Sequence, residues 1–96
     1  MVKHIVMFEF KDEKRDENIK KAKEMLEDLI NTVPTLKSME VGVNFSKEDR
    51  AMDLSIITLF DNIEGLNEYA THPEHLKVVE FIKEVVNSSK VSDYIV

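Results

Sequence analysis

Residues 2–10 and 53–60 alternate in the two-residue period of a β-strand, yet each is apolar on both sides. In the first, Val2, His4, Val6, Phe8 and Phe10 share one face; Lys3, Ile5, Met7 and Glu9 share the other, which is apolar in its middle. In the second, Leu54, Ile56, Thr58 and Phe60 lie against Ser55, Ile57 and Leu59. A strand that is apolar on both sides has something covering both. Helices of the same chain can cover one side. The chain has 96 residues, enough for one domain spanning 1–96. A domain of that size buries only about two-thirds of the surface its unfolded chain exposes. A second subunit is therefore the natural cover for the other side.

Helical patterns lie between the strands. In residues 16–31, Ile19, Ala22, Leu26 and Leu29, continued by Val33, recur at steps of three and four, with Met25 and Ile30 widening the stripe. Asp12 or Asp16 is expected to cap its start and Pro34 to stop it. Residues 36–45 alternate again, with Met39, Val41, Val43 and Phe45 on one face, and the polar turn 46–52 joins them to 53–60 as a hairpin. Asp61 is expected to cap a short helix over 63–70. Thr71-His72-Pro73-Glu74-His75 then breaks the chain, and Pro73 suits the first turn of a new helix. That helix runs to about Asn87, with Val78, Val79, Ile82, Val85 and Val86 as its stripe. Residues 91–96 form a last strand.

The order βαββαβ predicts an α+β, ferredoxin-like fold, a four-stranded antiparallel sheet with its helices on one face. The bare face would carry Ile5, Met7, Ile57 and Leu59, poor candidates for a surface in water. The expected partner is a second copy of the chain, packed over that face as a homodimer.

Several function classes lack their signals. The net charge is −6, and acids interleave with the lysines of residues 11–23, so nucleic acid is not an expected partner. With no cysteine, thiolate metal sites and cysteine catalysis are excluded. The N-terminal apolar run is broken by Glu9 and is too short for the core of a signal peptide. No stretch approaches the ~20 apolar residues of a membrane span, so no membrane partner is expected and the cytoplasm is the expected location. Glycine-rich phosphate loops and serine nucleophile elbows are absent, and no cofactor is expected. His72 and His75 are three apart where a helical zinc pair uses four, so no metal site is expected either.

With its segments placed, the chain resembles the stress-responsive A/B barrel domain family, the dimeric α+β barrel proteins. The carrying residues are Lys3-His4-Ile5-Val6, Val33-Pro34, Lys37-Ser38-Met39-Glu40-Val41-Gly42, Asn44-Phe45-Ser46, Tyr69, His72-Pro73-Glu74-His75 and Asp93-Tyr94. They cover nearly the whole chain, and their order and spacing together carry the likeness. The resemblance implies a homodimer in which two sheets close an eight-stranded barrel. It implies no single function, because the family includes plant stress-induced proteins, a plant polyketide cyclase and many bacterial proteins. Heme-degrading monooxygenases of related barrels rely on a tryptophan, and this chain has none.

His75 is the residue best placed for chemistry. It falls at the centre of the stripe of Val78, Val79, Ile82, Val85 and Val86, so it is expected to point toward the sheet. An imidazole in apolar surroundings is biased toward neutrality and is free to act as a base near pH 7. Tyr69, six residues earlier, can supply a hydroxyl to a developing oxyanion. By resemblance, Tyr69 and His75 fall on the two positions that serve aldol-type ring closure in the plant cyclase, and His4 matches another histidine of that pocket. A further pocket histidine of the cyclase corresponds here to Leu54. His4, Val6 and Phe8 are the expected ligand-binding residues of the first strand. The plainer reading of each histidine is a hydrogen-bonded space-filler or a helix cap.

Two functions follow from different classes. One is a non-enzymatic homodimer of the stress-response type that binds a small apolar ligand. The other is a cofactor-free enzyme acting on a carbonyl compound, with His75 as base and Tyr69 as oxyanion donor. The sequence favours the first. An open pocket at His4, Tyr69 and His75 would favour the second.

Overall fold

The structure is a computed structural model and describes all residues from 1 to 96. Its elements are β1 (Val2–Phe10), α1 (Arg15–Asp28) with a 3-10 turn (Leu29–Asn31), β2 (Ser38–Val43), β3 (Leu54–Phe60), α2 (Ile63–Thr71), α3 (Pro73–Val85) and β4 (Val86–Ile95). The four strands form one sheet in the order β2-β3-β1-β4, every neighbouring pair antiparallel. This is the ferredoxin-like arrangement expected from the chain order.

The sheet packs its inner face on the helices. Phe8, Phe10, Leu54, Ile56 and Phe60 are buried there against Ile19, Ala22 and Leu26 of α1 and Val78 and Ile82 of α3. Thr58 is the one buried polar side chain on that face, and its hydroxyl donates to the carbonyl of His4 at 2.8 Å. The outer face has no such cover. Ile5 pairs with Ile57 and Lys3 with Leu59 across the strands, and Ile5, Ile57 and Leu59 are only half-buried. Met7, next along this row, is exposed. No helix is long and apolar enough to cross a membrane.

Four local expectations are corrected. Neither Asp12 nor Asp16 caps α1. Lys14 stands at the cap with φ 53, and the Asp12 carboxylate instead accepts from the Arg15 guanidinium at 2.8 Å. Asn62, not Asp61, caps α2 by accepting from the Gly65 N–H at 2.8 Å, while Asp61 pairs with Lys37 at 3.1 Å. The second strand ends at Val43, leaving Phe45 outside it and 96% exposed. The last strand begins at Val86, directly after α3, because Ser88 and Ser89 take their backbone partners opposite Glu9 and Phe8 of β1. That pairing satisfies backbone groups of a polar stretch that has little strand propensity of its own.

Candidate functional site

α3 starts where its sequence tells it to. Pro73 occupies the first turn, and His72 at the cap accepts from the Glu74 N–H through Nδ1 at 3.1 Å. This sets His75 one turn into the helix, on the side facing the sheet. Its Nδ1 lies 3.1 Å from the Ala70 carbonyl, which can only accept, so Nδ1 carries the proton. Nε2 is then the bare nitrogen, and no protein group bonds to it. Burial, above all, lowers the pKa of His75 from its ordinary 6.5; the bond to Ala70 opposes this, and the nearby His4 and His72 add to it.

Tyr69, near the end of α2, packs its ring 4.3 Å from that of His75, 5.2 Å from Phe60 and 6.2 Å from His4, centroid to centroid. The residue is 1% exposed, and its hydroxyl is buried without a hydrogen-bond partner. Leaving such a group unpaired costs about 1–3 kcal/mol. Burial pushes its pKa up, so the phenol keeps its proton and is a donor throughout the working pH range.

His4 reaches this cluster from β1. The strand register sets it directly opposite Asp93 of β4, and its Nδ1–H donates to the Asp93 carboxylate. Asp93 fixes the ring's tautomer in the way a carboxylate orients a catalytic imidazole. Asp93 was not singled out as a site residue from the sequence. The available signal was its place in the alternation of β4, where it shares a face with Val91 and Ile95 and is the one acid among them.

A cavity of about 310 Å³ lies between α3 and the sheet, lined mostly by apolar side chains. His4, Val6 and Phe8 follow one another along its β1 wall, and His75, Val79 and Lys83 along its α3 wall. Eight residues of helix and four of strand each span about 12–14 Å, so the two walls match in length. The histidines stand at one end, with Lys83 and Ser89 at the other. Of the expected residues, His4, Val6, Phe8 and His75 therefore line one cavity. Tyr69 does not open onto it and instead backs the His75 ring. Leu54 is fully buried in the core and is no part of the wall. His72 serves the helix cap. No group of three or more histidine and acidic side chains is arranged to share a metal ion.

An apolar cleft that ends in two tautomer-fixed imidazoles can hold a small, mainly apolar molecule and take a proton from it. Comparisons with known proteins agree with this architecture. Over 95 residues the chain is 22% identical to olivetolic acid cyclase of Cannabis sativa, covering 97% of this chain and 94% of that one. A dimeric ferredoxin-like protein of unknown function from Bacteroides fragilis superposes with a TM-score of 0.90 at 30% identity, over 99% of this chain and 95% of the other. The hydroxynitrile lyase of Passiflora edulis shares the fold with a TM-score of 0.87 at 21% identity, over 99% and 92% of the two chains. Residues 2–96 match the family model described as the Stress responsive A/B Barrel Domain, and the chain belongs to that family.

Proposed function

We propose that each protomer binds a small carbonyl compound in the cavity between α3 and the sheet and abstracts a proton from the carbon next to its carbonyl. His75 Nε2 takes the proton, and the electron pair moves to the carbonyl oxygen as an enolate. The Tyr69 hydroxyl, a donor with no partner in the fold, is the group assigned to that oxygen, which it reaches when the His75 ring that covers it shifts as the ligand enters. His4, oriented by Asp93, completes the polar end, and the apolar walls hold the body of the ligand. The observation that carries this reading is the bond from His75 Nδ1 to Ala70, which leaves the other ring nitrogen free of protein partners in a residue that lines a ligand-sized cavity. The enzyme name borne by the Cannabis relative, a cyclase, points the same way.

The fold supports a homodimer through the outer sheet face, where Ile5, Met7, Ile57 and Leu59 lack a cover; the Bacteroides relative is described as dimeric.

The test is deuterium exchange. A panel of small ketones and β-keto compounds is incubated with the protein in D2O near neutral pH, and exchange next to the carbonyl is followed by NMR. The expected result is exchange above background that falls to background with His75→Gln. Equal exchange by both proteins would overturn the assignment. One observation favours a binding role without chemistry: Tyr69 is sealed behind His75 instead of opening on the cavity. Saturable binding of a panel member with no exchange would establish that second reading.

A further inference from the structure

The end of β2 and the β2–β3 connection hold two residues that nothing within the chain explains. Phe45 is 96% exposed, although the turn bearing it is well tied down. The Asn44 side chain donates to the Ser46 carbonyl at 2.7 Å and accepts from the Ser46 N–H at 3.1 Å, and the Asn44 N–H donates to the Asp53 carbonyl at 2.9 Å. An aromatic ring held out in water on an ordered turn exposes apolar surface at a cost. Gly42 is the second residue. No glycine of the chain has positive φ, and a Cβ built at Gly42 meets nothing within 4 Å. Neither backbone conformation nor packing inside the protomer requires glycine there.

The two residues line the same open cleft, about 610 Å³ in volume, on the outer side of the sheet. The register places Gly42 opposite Ser55, and Ser55 opposite Met7, so the cleft continues the uncovered row of Ile5 and Ile57. Met7, Met52 and Phe45 give it an apolar centre, while Glu48, Arg50 and Lys90 give it a charged rim. An apolar centre inside a charged rim is the composition of a protein interface.

We infer that the β2–β3 loop is an arm that clasps a second copy of this chain, with Phe45 as its anchor and the space over Gly42 as the place the second copy enters. This rests on the homodimer reading above. The occupant is a second copy because the cleft is continuous with the face assigned to the dimer, and because a relative of 30% identity over 99% of the chain is dimeric. In a two-fold dimer the same patch serves both copies, so each arm and each cleft is used twice.

The test is sedimentation equilibrium across a nanomolar to micromolar series, with circular dichroism melts as a check on folding. Phe45→Ser and Gly42→Leu are each expected to weaken the dimer by at least about tenfold, as truncating or obstructing an anchoring contact does. Both sit where the protomer has room, so their melts at concentrations that leave them monomeric should show a folded chain. Ile30→Ser, on the helix layer and 41% exposed, should leave association unchanged. A dimeric wild type whose association is unaffected by either cleft variant, or equally weakened by Ile30→Ser, overturns the clasp and leaves the dimer standing. A wild type that is monomeric throughout overturns both. Should Gly42→Leu fail to fold, Phe45→Ser decides alone.

Discussion

The phenol of Tyr69 is stacked 4.3 Å from the imidazole of His75, tilted by 45°, with its hydroxyl buried and unpaired. The ring packs against one side of the imidazole, and burial leads the causes that lower the His75 pKa. The fold tolerates an unsatisfied hydroxyl in order to place it there, and such a cost is characteristic of functional sites.

Tyr69→Phe separates the two roles of that side chain. It keeps the ring and removes the unpaired hydroxyl, so folding stability should stay level or rise by about 1 kcal/mol in urea melts. Turnover should fall in the same protein, because the oxyanion donor is gone. A variant both less stable and fully active would place the hydroxyl's role in the fold instead.

Stability should depend on pH through His75. Its folded pKa lies below the ordinary 6.5, so between the two values the unfolded chain binds a proton that the folded chain does not. The stability present above pH 6.5 is therefore lost as pH falls through that window. His75→Gln should flatten this part of the profile, measured by urea midpoints between about pH 7.5 and 5. For the same reason the acid limb of kcat/KM should lie below the ordinary histidine value.

Asp93→Asn removes the charge that orients His4 while keeping the side chain's size. Asp93 is half exposed, with 48% of its side chain accessible, so the pair adds under about 1 kcal/mol to folding and the melting temperature should barely move. Turnover should fall, because the amide can hold the wrong tautomer of the ring. Activity equal to wild type would show His4 to be a wall residue only.

Leu26→Ala and Val79→Ala share the inner stripes of α1 and α3 but differ in surroundings. Leu26 is 2% exposed, and losing its side chain should cost about 2–4 kcal/mol. Val79 is half-buried and already borders the cavity, so its truncation leaves less new void and should cost about 1 kcal/mol. Denaturant midpoints that rank the two the other way would contradict the packing described.

The elements with strong periodicity were legible in the sequence. The stripe of Ile19, Ala22 and Leu26 and the alternation of Leu54 to Phe60 each report a buried face directly, and both faces stand as read. The start of β4 was not legible, because Asn87-Ser88-Ser89 has the composition of a loop and becomes strand only through pairing with β1. Helix caps were misassigned by one or two residues, since Asp12, Asp61 and Asn62 are chemically similar candidates and local geometry chooses among them. At the site, His75 could be placed from its own helix. The partnership of His4 with Asp93 spans 89 residues of sequence and arises from strand register alone. Whether Tyr69 opens on the cavity depends on the angle between α2 and α3 at the His72 turn, which no residue pattern encodes.

The central claim is that His75 presents a bare Nε2 to the cavity. Long-range 15N–1H correlation of the His75 ring at neutral pH tests it most directly, because the two ring nitrogens have distinct shifts when one is protonated. The expected spectrum shows a neutral ring with the proton on Nδ1, held by the Ala70 carbonyl, and an Nε2 signal that moves when a cavity ligand is added. A neutral ring protonated on Nε2, or an imidazolium at that pH, would contradict the assignment of His75 as the base.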